Sequence, residues 1–315
     1  MASPSNFCRA ALAAILIAAS IPALPAQDPP RTVSSDQQRS GMMGTITGQL
    51  FSTDPNFAPP SPADHDLGEQ RLLFKRDDYK AFTLFANASE FFTSNAALSH
   101  DNPKSDWFTA LQFGASYVPH ITGGLYGEVT AMQQLYRYAD YSGLNFNSLD
   151  LGAGLIYVFR DLEGLSVFTR YNYNLLTDAA ADSSLLYQQT IRMGVNKPFI
   201  FSRAHSATVG LAADVNLNGW PDYALRNRFA ALAGYQVNLT RLVQANLFYQ
   251  LAYFPYLDTG RRDWNQILSA SLVFNISPRF SISASVSGSF NDSNEKFYDY
   301  SVLNTGGGLS ANYRF

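Results

Sequence analysis

Residues 279–290 read RFSISASVSGSF. Phe280, Ile282, Ala284, Val286, Gly288 and Phe290 alternate with Ser281, Ser283, Ser285, Ser287 and Ser289. Successive side chains of a β-strand point to opposite faces, so one face here carries apolar and small groups and the other carries hydroxyls. Burying a hydroxyl without a partner costs about 1–3 kcal/mol, which makes five alternate serines a poor core face for a soluble sandwich. The serine face meets water, and the apolar face must find a different environment.

The same period of two recurs along the chain. In Ser148–Phe159, the series Leu149, Leu151, Ala153, Leu155, Tyr157, Phe159 alternates with Asp150, Gly152 and Gly154. In Leu242–Tyr253, Val243, Ala245, Leu247, Tyr249, Leu251 and Tyr253 alternate with Gln244, Asn246 and Gln250. The pattern predicts about twelve strands. They cover 81–93, 106–118, 124–138, 147–159, 165–177, 185–197, 205–217, 226–239, 242–253, 264–276, 279–290 and 303–315. The first has ambiguous faces, since Phe82/Leu84 and Phe85/Phe91 fall on opposite sides.

Composition narrows the class. The 315 residues are 46% hydrophobic, 14% aromatic and 15% charged, against about 25% charged in an ordinary domain. Mean hydropathy is nevertheless -0.11. No stretch after residue 30 approaches the roughly 20 apolar residues of a spanning helix, which excludes a helical membrane protein. The 23 Phe and 18 Tyr exclude a disordered chain. Lys+Arg 22 against Asp+Glu 25 leaves no basic footprint for nucleic acid.

Residues 1–26 read as a secretory signal peptide, with Arg9 as its positive end, Ala10–Ile21 as its apolar core and Ala23 or Ala26 as the cleavage residue. Cys8, the single cysteine, precedes that core, so a lipid anchor is not expected and the exported chain carries no thiol. Residues 27–79, broken by Pro29, Pro30, Pro55, Pro59, Pro60 and Pro62, read as a periplasmic extension or linker. It is a tether or a plug, with Thr45–Phe51 able to form a short strand. Residues 80–315 form the third unit.

Connections after strands 2, 4, 6, 8 and 10 are short, such as Thr240–Arg241 and Ser277–Pro278, while Ser94–Ser105, Phe254–Asp263 and Asn291–Val302 are long. Short turns at one end and long loops at the other point to an antiparallel transmembrane β-barrel. Strands of about 13 residues reach roughly 33 Å when tilted, enough for an apolar band of about 25 Å. On the outward face, Trp107, Tyr173, Tyr187, Tyr253 and Phe290 fall near the loop end. Tyr117, Tyr157, Phe159, Phe274, Phe280, Tyr313 and Phe315 fall near the turn end, as two interfacial girdles would.

Gly308–Phe315 (GLSANYRF), with Leu309, Ala311, Tyr313 and terminal Phe315 outward, resembles the closing strand of bacterial outer-membrane β-barrel proteins of the porin-like class. The resemblance implies recognition of these residues by the barrel-assembly machinery. An even strand count then puts both termini in the periplasm. The expected location is the outer membrane of a Gram-negative type cell, with outer-membrane lipid around the barrel.

The opposite face holds Ser, Thr, Asn, Gln, Gly and a few charges. Counting from the turns places Arg170 beside Arg192, with Glu128 at a similar level beyond Gly152 and Gly154. Asp214 and Arg228 pair near the loop end by the same count. One reading is a passive channel in which these charges set a field for small polar or anionic solutes. The other is a filled interior whose charges satisfy one another. A surface-binding or structural barrel acting through its long loops is the alternative function.

An outer-membrane hydrolase is the third and least expected reading. His205 and Ser206 are adjacent and point apart, and His65, His100 and His120 have no serine two positions away. No G-x-S-x-G, H-E-x-x-H or phosphate-loop motif occurs. Asn291–Lys296 (NDSNEK) bunches oxygen ligands suited to Ca²⁺ but departs from the EF-hand order. No cofactor or resident metal is expected.

Overall fold

The computed structural model describes residues 79–202 and 204–315, so the expected leader, the extension before residue 79 and the Thr45–Phe51 strand lie outside the described residues. The strands are β1 (Phe82–Thr93), β2 (Asp106–Tyr117), β3 (His120–Thr122), β4 (Leu125–Tyr138), β5 (Phe146–Phe159), β6 (Leu165–Asp178) and β7 (Ser184–Ile200). They continue as β8 (His205–Trp220), β9 (Arg228–Asn238), β10 (Val243–Pro255), β11 (Arg262–Asn275), β12 (Phe280–Ser293) and β13 (Tyr300–Arg314). Each long strand pairs antiparallel with its sequence neighbour, β2 pairs with β4, and β1 pairs with β13. The sheet therefore closes into a barrel of twelve long staves. Closure removes every edge, so backbone groups are satisfied without water.

Alternation decides which way each stave faces. Outward Leu84, Ala86 and Ala88 on β1 are exposed, while Phe85 and Phe91 point in, which settles the ambiguous first strand. The apolar belt includes Leu211 at 60% and Leu309 at 58% exposure. Trp107, Trp264 and Phe290 ring it near the loop end, and Phe280, Tyr313 and Phe315 near the turn end. Polar groups on this outer wall find local partners: Tyr171 Oη donates to Gln189 Oε1 at 3.1 Å, and Tyr249 Oη to Gln266 Oε1 at 3.1 Å.

The structure departs from the expected pattern in three places. The turn expected at Pro119–Gly123 holds the short strand β3, which folds back on β4 because Gly123 adopts φ +55°. Strand β7 runs to Ile200 and β12 to Ser293, several residues beyond their apolar alternation, since the ladder continues past the belt. Between β7 and β8 the pairing steps from Gln189↔Asn218 to Thr190↔Asn216, so Leu217 is an extra residue in a bulge.

Candidate functional site: the barrel lumen

Five of the inward charges lie in one row. Register places Glu128 opposite Gly154, Gly154 opposite Arg170, Arg170 opposite Arg192, Arg192 opposite Asp214, and Asp214 opposite Arg228. Strands in a barrel tilt, so a row across the ladder climbs. It starts at Glu128, the fourth residue of β4 from the turn end, and finishes at Arg228, the first residue of β9 at the loop end.

Each charge in the row has a partner. Arg170 Nε donates to Glu128 Oε2 at 2.9 Å, and Arg170 Nη2 pairs with Glu128 Oε1. The two residues reach each other across β5 because Gly152 and Gly154 leave the wall bare. A Cβ on Gly152 would stand 3.1 Å from Arg170 Cδ, and one on Gly154 2.9 Å from Arg170 Cα. Arg192 Nε lies 3.4 Å from Asp214 Oδ1, and Arg228 Nη1 lies 3.0 Å from Asp214 Oδ2. Arg228 Nη2 also donates to Gln250 Oε1 at 2.6 Å. Three guanidinium groups against two carboxylates leave the row one net positive charge, which the inward carboxylate of Asp150 on β5, bonded by Asn174 Nδ2 at 2.9 Å, offsets within the lumen. The Arg192 and Glu128 side chains are only 3% and 1% exposed, so these groups line the wall beneath neighbouring side chains rather than standing free in a pore.

The two sides of the lumen differ. From β9 through β13 to β1, inward residues in the turn-end half are accessible: Gln236, Asn246, Ser271, Ser283, Ser285, Ser310 and Asn87 among them. This hydroxyl and amide wall faces the arginines, since β12 stands six staves from β6 in the closed ring. Toward the loop end, access stops on every stave. Thr93, Phe108, Gln134, Phe146, Leu176, Leu186, Gly219, Arg228, Ala252, Asn265, Ser289 and Val302 are all buried. A serine on the wall of a water-wide pore would be wet, yet Ser148 and Ser289 are 0% exposed. Among the described residues, the lumen is packed at the loop end on every stave. In the turn-end half it is packed on the β5–β8 side by Ile156, Val158, Phe168 and Ala212 and accessible on the side from β9 to β1.

The closing layer was not anticipated from the sequence. One half is an apolar cluster of Phe108, Tyr136, Phe146, Leu176, Leu186 and Ala224, in which the Tyr136 and Phe146 rings stack 4.4 Å apart. The other half combines an apolar cluster of Ala230, Ala252, Phe254 and Tyr256 with buried polar groups. Arg261 Nε donates to Asp263 Oδ1 at 2.9 Å, and its guanidinium lies 3.5 Å from the Tyr298 ring centre and 4.3 Å from that of Tyr256. Arg261 and Asp263 stand two apart, the spacing that puts both on one strand face, and that is the signal that would have revealed the pair.

Other expectations resolve as follows. His205 Nδ1 lies 2.9 Å from Tyr235 Oη on the outer wall, and Ser206 points the other way. NDSNEK does not gather into one ligand set, because Asn291, Asp292 and Ser293 lie on β12 and alternate faces. Asn291 Nδ2 donates to Asp263 Oδ2 and to the Tyr298 carbonyl instead. Among the described residues no group of three or more His, Cys, Asp or Glu is placed to hold a metal. At the turn-end mouth, Tyr79 donates its hydroxyl to the Val118 carbonyl and packs 5.9 Å from the Tyr126 ring. Partial burial there, with Tyr126 and Tyr117 adding, pushes the Tyr79 phenol up to about 12.

No family model matches the sequence, and no curated protein matches it at a significant level. Among solved structures, an outer-membrane channel from Pseudomonas putida F1 superposes with a TM-score of 0.50 at 10% identity, over 75% of this chain and 98% of that one. The translocator domain of the autotransporter NalP from Neisseria meningitidis gives 0.44 at 12% identity, over 76% and 90%. The KdgM porin gives 0.40 at 7% identity, over 72% and 98%. The likeness to the Pseudomonas protein concerns the fold, which is that of an outer-membrane β-barrel.

Proposed function

We propose that the protein is an outer-membrane channel for small polar solutes, exported to a Gram-negative type outer membrane, with its short turns and both chain ends in the periplasm. The observation that carries the reading is the pairing of two walls on one sheet. The outer wall is apolar and girdled by aromatics, so it suits lipid. The inner wall from β9 to β1 presents accessible serine, asparagine and glutamine, which can replace part of a solute's hydration. Arg170 and Arg192, side by side across the β6–β7 ladder, give a local preference for anions on that wall. Leu309, Ala311, Tyr313 and Phe315 serve as the assembly signal, and the protein acts without catalysis or cofactor.

Purified protein in planar bilayers tests the reading. Discrete conductance is expected, and a flat trace from protein whose gel mobility changes on boiling would overturn it. A lipase or protease assay on the same folded sample should show no turnover. A barrel acting through its loops is the second reading, favoured by the packed loop-end third of the lumen. It gains the ground if the folded protein is silent.

A further inference from the structure

The closing layer is held differently on its two sides. Around β11 to β13 its members are hydrogen-bonded: Asn265 Nδ2 donates to Ser289 Oγ at 3.3 Å and Tyr300 Oη at 3.2 Å, and Asn291 Nδ2 to Asp263 Oδ2 at 3.1 Å. Between β2 and β7 the layer is mainly apolar, with Gln134 buried in it and accepting from Tyr136 Oη at 3.0 Å, and one member of the apolar cluster comes from outside the wall. It is Ala224, in the short turn Asp222–Ala224 that joins β8 to β9.

The segment that follows this turn is bonded to β8, where Asn216 N–H donates to Asn227 Oδ1 at 2.9 Å, and to β7, where Gln188 Nε2 donates to the Arg226 carbonyl at 3.5 Å. It is strapped most heavily to the β10 side. Leu257 N–H donates to the Leu225 carbonyl at 2.9 Å, and Asn227 N–H to the Pro255 carbonyl at 3.1 Å. Arg226 and Tyr256 face each other as an antiparallel bridge, with Arg226 Nη1 donating to Tyr256 Oη at 2.7 Å. The Arg226 guanidinium also lies 4.0 Å from the Phe254 ring centre. Gly219 has no side chain where Leu225 sits, and a Cβ there would stand 2.6 Å from Leu225 Cδ2.

We propose that the Asp222–Ala224 turn is the gate of this channel, seated in the apolar cluster when closed and withdrawn from it when open, with the Arg226–Tyr256 contact as its clasp. The inference rests on the channel reading above. An apolar constriction resists water and ions by dewetting. The contacts of Ala224 there are non-directional, so its methyl leaves the seat without breaking a hydrogen bond of its own side chain. The hydrogen-bonded side stays in place and keeps the barrel round.

Single-channel recording on three proteins tests the gate: wild type, Ala224→Asp, and the pair Arg226→Cys with Tyr256→Cys in a Cys8→Ser background. Facing residues of an antiparallel bridge lie within disulfide reach. Wild type should show brief, sparse openings. Ala224→Asp brings a carboxylate to an apolar seat, so mean current should rise about tenfold or more. The oxidised pair should be silent, and dithiothreitol should raise its current above wild type because the clasp is gone. A cross-linked protein, verified by mass, that conducts like its reduced form overturns the gate and leaves the channel standing. Wild type already fully open, with Ala224→Asp unchanged, does the same. No current from any of the three, all folded by gel mobility, removes both channel and gate.

Discussion

Arg192 and Asp214 face each other across the β7–β8 ladder, with Arg192 Nε 3.4 Å from Asp214 Oδ1, and this contact joins two ion pairs into one row. Glu128–Arg170 lies on one side of it and Arg228 on the other. Asp214 therefore answers two guanidinium groups, while Arg170 and Arg192 stand side by side with like charge. The row is fully paired only as a unit, and its members differ in how much depends on them.

Asp214→Asn should be the costliest single change in the row. It leaves Arg192 and Arg228 in their buried positions without the carboxylate, at about 3–5 kcal/mol by the usual cost of breaking a buried pair. Replacing all three by apolar residues of similar size should recover most of that loss. Urea unfolding from lipid vesicles, followed by tryptophan emission, compares the variants.

Arg170→Ala with Arg192→Ala takes the row from three arginines and two carboxylates to one arginine and two carboxylates, a change from one net positive to one net negative charge. Anion preference should fall. Reversal potential across a salt gradient reads it, and an unchanged potential would remove these residues from selectivity.

Gly152→Ala should disturb the Glu128–Arg170 pair. The new methyl meets Thr130 Oγ1 at 2.6 Å and Arg170 Cδ at 3.1 Å, so the arginine must shift. Overpacking of this kind costs about 1–3 kcal/mol. Gly143→Ala is the control, since nothing lies within 4 Å of that position. Equal stability of the two variants would mean the bare strip on β5 is not needed for the pair.

Deleting Phe315 should lower the yield of folded barrel. Its N–H and carbonyl both bond Phe82 across the seam, at 3.0 and 3.2 Å, and the two rings lie 4.9 Å apart. Phe315→Ala keeps the backbone bonds and removes the ring. If Phe315→Ala falls as far as the deletion, the aromatic group carries the effect, as the proposed assembly signal requires. The fraction showing heat-modifiable mobility in membrane extracts measures it.

Much of the fold was legible in the residues. Strand limits fell within a few positions because a lipid wall and a wet wall demand opposite side chains, and alternation records that demand at each step. Arg170, Arg192 and Glu128 were brought to one level by counting from the turns, and Asp214 was matched to Arg228 in the same way. The link between the two groups was missed because counting from turns ignores tilt. A row that climbs from the base of β4 to the top of β9 looks like two unrelated levels when each strand is measured from its own end. The faces of β1 were also undecided, since Phe85 and Phe91 are large enough to pass for lipid-facing residues.

Residue alternation already implies a chain that closes into a transmembrane barrel, and roughly where each strand runs. That information is local: period, turn length and aromatic height can be read without knowing which distant residues meet. Which parts of the lumen are packed, the whole loop end and the turn-end side of β5–β8, follows from the three-dimensional packing. Ala224, Phe146 and Leu186 are unremarkable one by one, and whether inward side chains leave a passage depends on how residues from five strands and a connecting turn share one volume. Alternation says which way a side chain points, whereas packing across the barrel says whether anything can pass it.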